Sequence, residues 1–206
     1  PEFKLANAVF GYDFQQIDVP DYMGMGEMEP TPYYYQNLGE AEYMVATYMY
    51  MRMLHYPAEK ITLLTTYKGQ KALIKDILAQ KCAWDPRFGM PRVSTVDRYQ
   101  GQQNDYVLLS LVRTKTVGYL RDVRRLTVAM SRARLGLYVF GRAALYRDCY
   151  ELAPTFSVLL KRPTRLVLAK NEDYGVQRSV EDVPEDGVQV IDTMHMIRIA
   201  QPTYET

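Results

Sequence analysis

Residues 92–112 read RVSTVDRYQGQQNDYVLLSLV. Two apolar segments, Arg92–Val96 and Tyr106–Val112, flank a short polar loop in this stretch. The second segment is apolar almost throughout, which is typical of a strand that is covered on both faces of a parallel sheet. Similar short apolar runs occur at Ile61–Thr65 and Leu135–Phe140, with amphipathic segments between the runs. This alternation predicts an α/β fold built on a parallel sheet flanked by helices.

Three further patterns predict helices around this sheet. Gly69–Cys82 carries apolar residues at helical spacing on one face, and so does Asp122–Arg134. Asn37 is followed three residues later by Glu40, which resembles a capping box and predicts a helix that extends to about His55. Each predicted helix would cover the sheet with its apolar side.

The two ends of the chain differ in composition from the central segment. Residues 1–36 contain one strand-like run, Tyr12–Val19, followed by glycines and prolines that break any period, so we expect an N-terminal strand and loop arm. Residues 37–160 are expected to form the α/β domain. Residues 161–206 are expected to form a C-terminal extension that is partly mobile, because residues 171–187 are acidic and show no regular pattern.

Charge is concentrated in one segment of the chain. The 206 residues carry a net charge of only +1, so a generally polybasic protein is excluded. From Arg113 to Arg147, however, nine lysines and arginines stand against a single acid, Asp122. This imbalance indicates a local anion site, with a solvated basic face as the alternative.

The cysteines and histidines predict no metal site. Cys82 and Cys149 have no cysteine or histidine at metal-ligand spacing, and His55 and His195 are equally isolated. Two lone cysteines are typical of a reducing compartment. The chain shows no transmembrane run and no signal peptide, and it lacks a starting methionine, so we expect it to be a fragment of a longer protein.

Polar segments follow the predicted strands, at positions where open parallel sheets bind ligands. They are Thr65–Gln70, Thr95–Gln103 and Arg124–Arg134. Within the last segment, Arg125 and Arg132 are seven residues apart, which predicts that they share one stripe of a helix. A guanidinium group held at the edge of a core suits a phosphate. The alternative is an amphipathic helix with solvated arginines.

These segments contain the patterns T-x-Y-x-G-Q, V-D-x-Y-Q-G and R-R-L-x-V-A-M-S-R-A-R in this order. They resemble motifs IV, V and VI of superfamily-one helicases, in the subgroup that contains the nonsense-mediated-decay helicase and senataxin. The resemblance implies that residues 37–160 form a RecA-like fold, the second motor domain of an ATP-dependent RNA helicase. Related helicases of RNA decay and transcription termination are alternatives within the same subgroup.

A narrower resemblance covers residues outside the three motifs. Asn37–Tyr43, Gly101–Tyr106 and Leu120–Leu126 are similar to the corresponding segments of intron-binding helicases of the spliceosome. This resemblance implies a nuclear protein that binds intronic pre-mRNA, contacts spliceosomal proteins and acts in pre-mRNA splicing, with no role for a membrane.

The resemblance also implies roles at the nucleotide. Arg132 matches the arginine finger, which stabilises charge on the transferring phosphoryl group. Gly101 matches a position where the backbone approaches the nucleotide. Gln103 matches a nucleotide-contacting position at which many relatives have glutamate, so this departure puts strong ATPase activity in doubt. Arg134 matches a residue near the phosphates, with a structural salt bridge as the alternative.

RNA contacts are implied for four other residues, namely Thr65, Thr66, Tyr67 and Thr95. The threonines match positions that hold RNA phosphates, and Tyr67 is a candidate for stacking on a base or for packing in the core.

The chain lacks the G-x-x-x-x-G-K-[ST] and D-E-x-x motifs that hold phosphates and Mg²⁺. We expect ATP and Mg²⁺ to be held mainly by a first RecA domain that is absent here, so that the fragment alone is inactive. A helicase-fold scaffold without catalytic activity is the competing hypothesis.

Overall fold

The computed structural model describes residues 4–118 and 120–202. Within these ranges, no helix is both long enough and apolar enough to span a bilayer. The elements, in chain order, are β1 (Phe14–Asp18), β2 (Glu27–Thr31), β3 (Tyr34–Asn37), α1 (Leu38–Met53), β4 (Ile61–Thr65), α2 (Lys68–Lys81), β5 (Arg92–Thr95), β6 (Asn104–Ser110), α3 (Leu120–Met130), β7 (Ala133–Gly141), α4 (Ala143–Arg147), α5 (Ala153–Leu159), β8 (Val167–Leu168), β9 (Val188–Gln189) and α6 (Thr193–Ile199).

Five strands form one parallel sheet in the order β1-β7-β6-β4-β5. The central strand is β6, and each of its residues from Asp105 to Ser110 is buried. A strand covered on both faces needs apolar side chains on both, which explains its nearly continuous apolar sequence. The α/β, RecA-like fold expected from the sequence is confirmed.

Helices cover both faces of the sheet. On one face, α1, α2 and α6 enclose a core that includes Tyr43, Met44, Ile74 and Met196. On the other face, α3, α4 and α5 enclose a second core that includes Leu126, Tyr146 and Phe156. Within the described residues, ligands can therefore reach the sheet at the two edges where its strands begin and end and along its outer strands, but not at its covered faces.

The N-terminal segment packs into the domain from residue 4 onward: the strand expected within Tyr12–Val19 is present, but the stretch expected as a loop contains regular structure. Its first strand, β1, pairs in parallel with β7 and forms one side of the sheet. The segment expected to be irregular contains a hairpin, because β2 pairs with β3 in an antiparallel arrangement. Glu27 holds this hairpin to the loop after β6, since its carboxylate accepts hydrogen bonds from the backbone N–H groups of Thr114, at 2.9 Å, and Lys115, at 2.5 Å.

The C-terminal segment also packs on the domain. β8 pairs with β9, and α6 lies against α1. Within the stretch expected to be mobile, Arg178 forms an ion pair with Glu172 at 2.6 Å. Glu172 also accepts a hydrogen bond of 2.8 Å from the backbone N–H of Val9. Because these side chains are mostly buried, residues 171–187 are fixed to the N-terminal segment at this point rather than detached from it.

Helix α3 is shorter than the sequence pattern predicts. It ends at Met130, and Ala133 is already the first residue of β7. The backbone N–H of Arg132 bonds to the carbonyl oxygen of Ala129, which tightens the last turn, and the carbonyl oxygen of Arg132 accepts from Asn104 in the sheet. The predicted helical stripe shared by Arg125 and Arg132 is therefore wrong, because the helix ends before Arg132 and the chain continues directly into β7.

Candidate functional site

The threonines assigned to RNA lie at the carboxyl edge of β4 and β5, where both strands end. Thr65 is fully buried, and its hydroxyl donates to the carbonyl oxygen of Ser110 at 3.1 Å, so this hydroxyl is used inside the sheet. Thr66 is 3% exposed, and its buried hydroxyl has no hydrogen-bond partner among the residues described. Thr95 is also buried. Thr66 and Thr95 therefore expose little side-chain surface at this edge, although the Thr66 hydroxyl remains unpartnered among the described residues.

The two tyrosines of this edge have different environments. Tyr67 is half-buried and packs edge-on against Tyr35, with ring centroids 5.5 Å apart. Tyr99 lies in the core, and its hydroxyl is 3.3 Å from the hydroxyl of Thr62. Of the pair, Tyr67 alone keeps part of its ring surface accessible for stacking.

Arg125 joins all three motif segments. Its guanidinium forms an ion pair with Asp97 at 2.6 Å and donates a hydrogen bond to the carbonyl oxygen of Thr66 at 3.2 Å. Thr66 belongs to the first segment, Asp97 to the second and Arg125 to the third. The sequence pattern predicts only a helical stripe for Arg125 and no role for Asp97. In the structure, Arg125 instead clamps the three segments together through its contacts with Thr66 and Asp97.

We expect Arg125→Ala to lower the free energy of unfolding of this chain by about 1 kcal/mol, because it removes a charge-assisted hydrogen bond and a partly exposed ion pair. The measurement is denaturant unfolding. Arg124→Ala is the matched control, since Arg124 is an exposed neighbour on the same helix and its loss should change stability by less than about 0.5 kcal/mol. If both substitutions lowered the free energy of unfolding equally, the contacts of Arg125 with Asp97 and Thr66 would not stabilise the fold.

A buried polar network of Gln70, Asn37 and Ser110 lies at the carboxyl edge of the sheet. The side chain of Gln70 accepts from the backbone N–H of Asn37 at 2.8 Å and donates to the carbonyl oxygen of Asn37 at 3.0 Å. It also donates to the hydroxyl of Ser110 at 3.1 Å. The last residue of the first motif is therefore structural, because it holds the start of α1 against the end of β6.

Glu40 belongs to this network and differs from its expected role. Asn37 caps α1 as predicted, since its side chain accepts from the backbone N–H of Glu40 at 3.0 Å. The carboxylate of Glu40 makes no return bond to Asn37. It accepts instead from the hydroxyl of Ser110 and from the backbone N–H of Val112, both at 2.8 Å. Complete burial raises the pKa of Glu40 to about 7, against the hydrogen bonds that lower it.

The buried polar network fixes the backbone of Val112, in the loop after β6. Its φ is +70°, a conformation that a β-branched residue adopts only when its surroundings impose it. Glu40 binds the N–H of Val112, and the side chain of Asn37 donates to its carbonyl oxygen at 3.0 Å. The next residue, Arg113, is buried in an ion pair with Glu27 at 3.0 Å. Its charge is therefore neutralised inside the protein.

The residues assigned to the nucleotide lie at the opposite, amino-terminal edge of the sheet. α3 has 11 residues and crosses the sheet over roughly 16 Å, so the third segment ends at the other edge from where it begins. Gln103 immediately precedes β6 and Arg132 immediately precedes β7. The N–H of Asn104 donates to the carbonyl oxygen of Arg132 at 3.0 Å, which brings Gln103 and Arg132 side by side.

Arg132 is half-buried, and among the residues described no carboxylate pairs with its guanidinium. Gly101 has φ +75° and nothing within 4 Å of where a Cβ would stand, so its backbone is open to close approach. Gln103 is exposed. Gly101 and Gln103 are therefore open to solvent, and Arg132, which lies beside Gln103, is partly accessible to an anion.

Arg134 differs from Arg132 in its pairing. It forms an ion pair with the buried carboxylate of Asp105, which also lies 3.9 Å from the ammonium group of Lys60. The side chain of Arg134 is 59% exposed. The structural salt bridge that the sequence left open is therefore present, and Arg134 is less available to a phosphate than Arg132.

Residues 10–144, more than half of the chain, match the family model described as AAA domain. The chain is 59% identical over 195 residues to "RNA helicase aquarius" of Mus musculus, covering 94% of this chain and 13% of that protein. It is 34% identical over 170 residues to "Pre-mRNA-splicing factor cwf11" of Schizosaccharomyces pombe, covering 82% of this chain and 13% of that protein.

A more distant match is "ATP-dependent helicase NAM7" of Saccharomyces cerevisiae, which is 38% identical over 87 residues, covering 40% of this chain and 9% of that protein. The chain thus spans only a small part of the curated relatives that it matches. The motif segments, the parallel α/β sheet and the similarity to these relatives all indicate the same family. This chain belongs to the AAA domain family and is related to the NAM7-type helicases of superfamily one.

Proposed function

We propose that this chain is the second motor domain of an ATP-dependent RNA helicase that acts in pre-mRNA splicing. The observation that carries the proposal is the contrast among the arginines of the third motif. Arg125 is paired with Asp97 and Arg134 with Asp105, whereas Arg132 has no carboxylate partner within the described residues. A half-buried guanidinium held next to the strand ends without an acid is suited to an anion supplied from outside, such as the terminal phosphate of ATP.

The residues at the amino-terminal edge fit a nucleotide. The open backbone at Gly101 permits close approach, Gln103 offers an exposed amide for hydrogen bonds, and Arg132 supplies charge. ATP with its Mg²⁺ supplies the phosphoryl group that is transferred to water. We propose that the rest of the protein holds most of the nucleotide and that Arg132 reaches the γ-phosphate from this domain.

We propose RNA contacts at the carboxyl edge, through Thr66, Tyr67 and Thr95. The unpartnered hydroxyl of Thr66 and the half-exposed ring of Tyr67 support this assignment. The hydroxyl of Thr65 is already bonded to Ser110, so Thr65 would contribute through its backbone only. Contacts of this kind position a phosphate backbone without reading its sequence.

The proposal of splicing, and of intronic pre-mRNA and spliceosomal proteins as partners, rests on the printed names of the two relatives that cover most of this chain. A nuclear location follows from the same proposal. A scaffold that keeps the fold without turnover is the second candidate, and the missing charge at Gln103 favours it.

The test uses the purified full-length protein with Mg²⁺. We expect ATP hydrolysis that single-stranded RNA stimulates, together with ATP-dependent separation of an RNA duplex, because the two edges of this domain would contact both ligands. RNA binding without any ATP hydrolysis would replace the helicase with the scaffold. If the protein bound neither RNA nor ATP, both candidates would be excluded.

A further inference from the structure

We propose that four cations on the β5 side of the sheet form a second contact surface for single-stranded RNA, which extends the RNA path beyond the three motifs. The residues are Lys71, Lys75, Arg92 and Arg98, here called the basic strip. The proposal rests on the RNA-binding function proposed above and adds a site that no helicase motif includes apart from Arg98, a variable position within the second motif.

The basic strip is assembled from three elements. Lys71 and Lys75 are four residues apart on α2 and therefore share one face of this helix. Arg92 is the first residue of β5, which α2 packs against, and Arg98 lies in the short 3₁₀ turn that follows β5. Lys75, Arg92 and Arg98 are exposed, and Lys71 is partly exposed.

The four cations are close enough to influence one another. The pKa of Lys71 is lowered by partial desolvation and by the charges of Lys75, Arg98 and Arg92. No carboxylate contributes to this shift. Like charges held together in a chain of net charge +1 destabilise the folded state unless an anion binds between them.

The acids nearest in sequence do not neutralise the strip. Asp97 precedes Arg98 but forms an ion pair with Arg125. Asp76 follows Lys75 on α2, and within the residues described it forms no ion pair with any member of the strip. Arg92 lies over the ring of Tyr99, 5.0 Å from its centroid, which fixes the guanidinium without cancelling its charge.

The position of the strip favours RNA over an acidic protein. α2 begins directly after Tyr67, and Arg98 directly follows Asp97, so the strip starts where the proposed RNA edge ends. A phosphate chain that crosses the carboxyl edge can continue onto it without a gap. Because the ring of Tyr99 is buried beneath Arg92, the strip offers charge without a stacking surface. We therefore infer contacts to phosphates alone, with no preference for sequence.

The experiment measures binding of the full-length protein to oligouridylates of about 6 and about 20 nucleotides by fluorescence anisotropy, without nucleotide. The test variant combines Lys71→Glu, Lys75→Glu and Arg98→Glu. The control variant combines Lys161→Glu, Arg165→Glu and Lys170→Glu, which changes the same charge at exposed positions in the C-terminal segment.

We expect the test variant to bind the long RNA at least about tenfold more weakly than the control, with a salt slope reduced by about 2, and to bind the short RNA within about threefold of the control. Equal affinity of both variants for the long RNA would overturn the proposal and point to an acidic protein partner. Equal loss on both RNA lengths would also overturn it, since the strip would then not be a separate surface.

A milder variant, with Lys71→Gln and Lys75→Gln, guards against misfolding after charge reversal, and it should show the same selective loss for the long RNA to a smaller extent. If neither variant loses affinity selectively for the long RNA, the proposal is overturned. If the unmodified protein bound neither RNA, the proposed helicase function itself would fail, and that outcome differs from the loss of length dependence alone.

Discussion

Arg132→Ala is expected to lower the RNA-stimulated ATP turnover of the full-length protein by at least about a hundredfold. The substitution removes positive charge where negative charge spreads over the transferring phosphoryl group, and this stabilisation is needed mainly in the transition state. The fold should survive, because Arg132 lies in a turn after α3 and its contacts to Ala129 and Asn104 are made by the backbone. Steady-state hydrolysis at saturating RNA is the measurement.

Two further variants separate catalysis from charge. Arg132→Lys should not restore turnover, because lysine keeps the charge without the planar fork of the guanidinium. Arg147→Ala removes an exposed cation distant in sequence from the motif and serves as the control. RNA affinity in the absence of nucleotide should be nearly unchanged for Arg132→Ala. Normal RNA-stimulated hydrolysis by Arg132→Ala would show that Arg132 is not the finger.

Most of the sheet could be predicted from the sequence. Four of its five strands, β4 to β7, coincide with the apolar runs of the sequence, because buried strands leave a signal that does not depend on their neighbours. The fifth strand, β1, reads FQQID and lies within the run expected to be strand-like. The hairpin of β2 and β3 gave no such signal. Most residues of β2 are exposed, and the attachment of the hairpin depends on Glu27 binding backbone groups that lie far away in sequence. Contacts of that kind leave no local pattern.

The end of α3 was missed for a similar reason. Ala133 fits the apolar spacing of the helix, but it also fits the first position of a strand. The hydrogen bond from the N–H of Asn104 to the carbonyl oxygen of Arg132 places this part of the chain in the sheet. The resulting turn separates Arg125 from Arg132. Arg125 remains at the clamp with Asp97, whereas Arg132 reaches the opposite edge. Periodicity describes one element at a time, so it had no means of placing these arginines at two different edges.

The sequence identified the cap of α1 but not the burial of Glu40. The spacing from Asn37 to Glu40 is that of a capping box, in which the carboxylate would return to the cap residue near solvent. In the fold, the end of β6 and the loop after it pass over the start of α1, and they bring Ser110 and Val112 to the carboxylate instead. The burial and hydrogen-bond partners of a titratable group depend on residues that are distant in sequence, so they cannot be predicted from local spacing.

The burial of Glu40 predicts a pH dependence of stability. Its pKa rises from 4.5 to about 7 on folding because burial penalises the charged carboxylate. The folded chain therefore holds this proton more tightly than the unfolded chain. The stabilisation is fully present below pH 4.5 and is lost as the pH rises through about 7.

Glu40→Gln should remove that dependence, because the amide oxygen can still accept from Ser110 and Val112 and the side chain carries no charge at any pH. Relative to the unmodified chain, the variant is expected to gain roughly 2–3 kcal/mol in free energy of unfolding between pH 5 and pH 8. Denaturant unfolding at the two pH values measures this difference. Glu59→Gln, which removes an exposed carboxyl, is the matched control for the loss of one acidic group. If Glu40→Gln and Glu59→Gln differed from the unmodified chain by the same amount at both pH values, Glu40 would not be the buried acid that the structure describes.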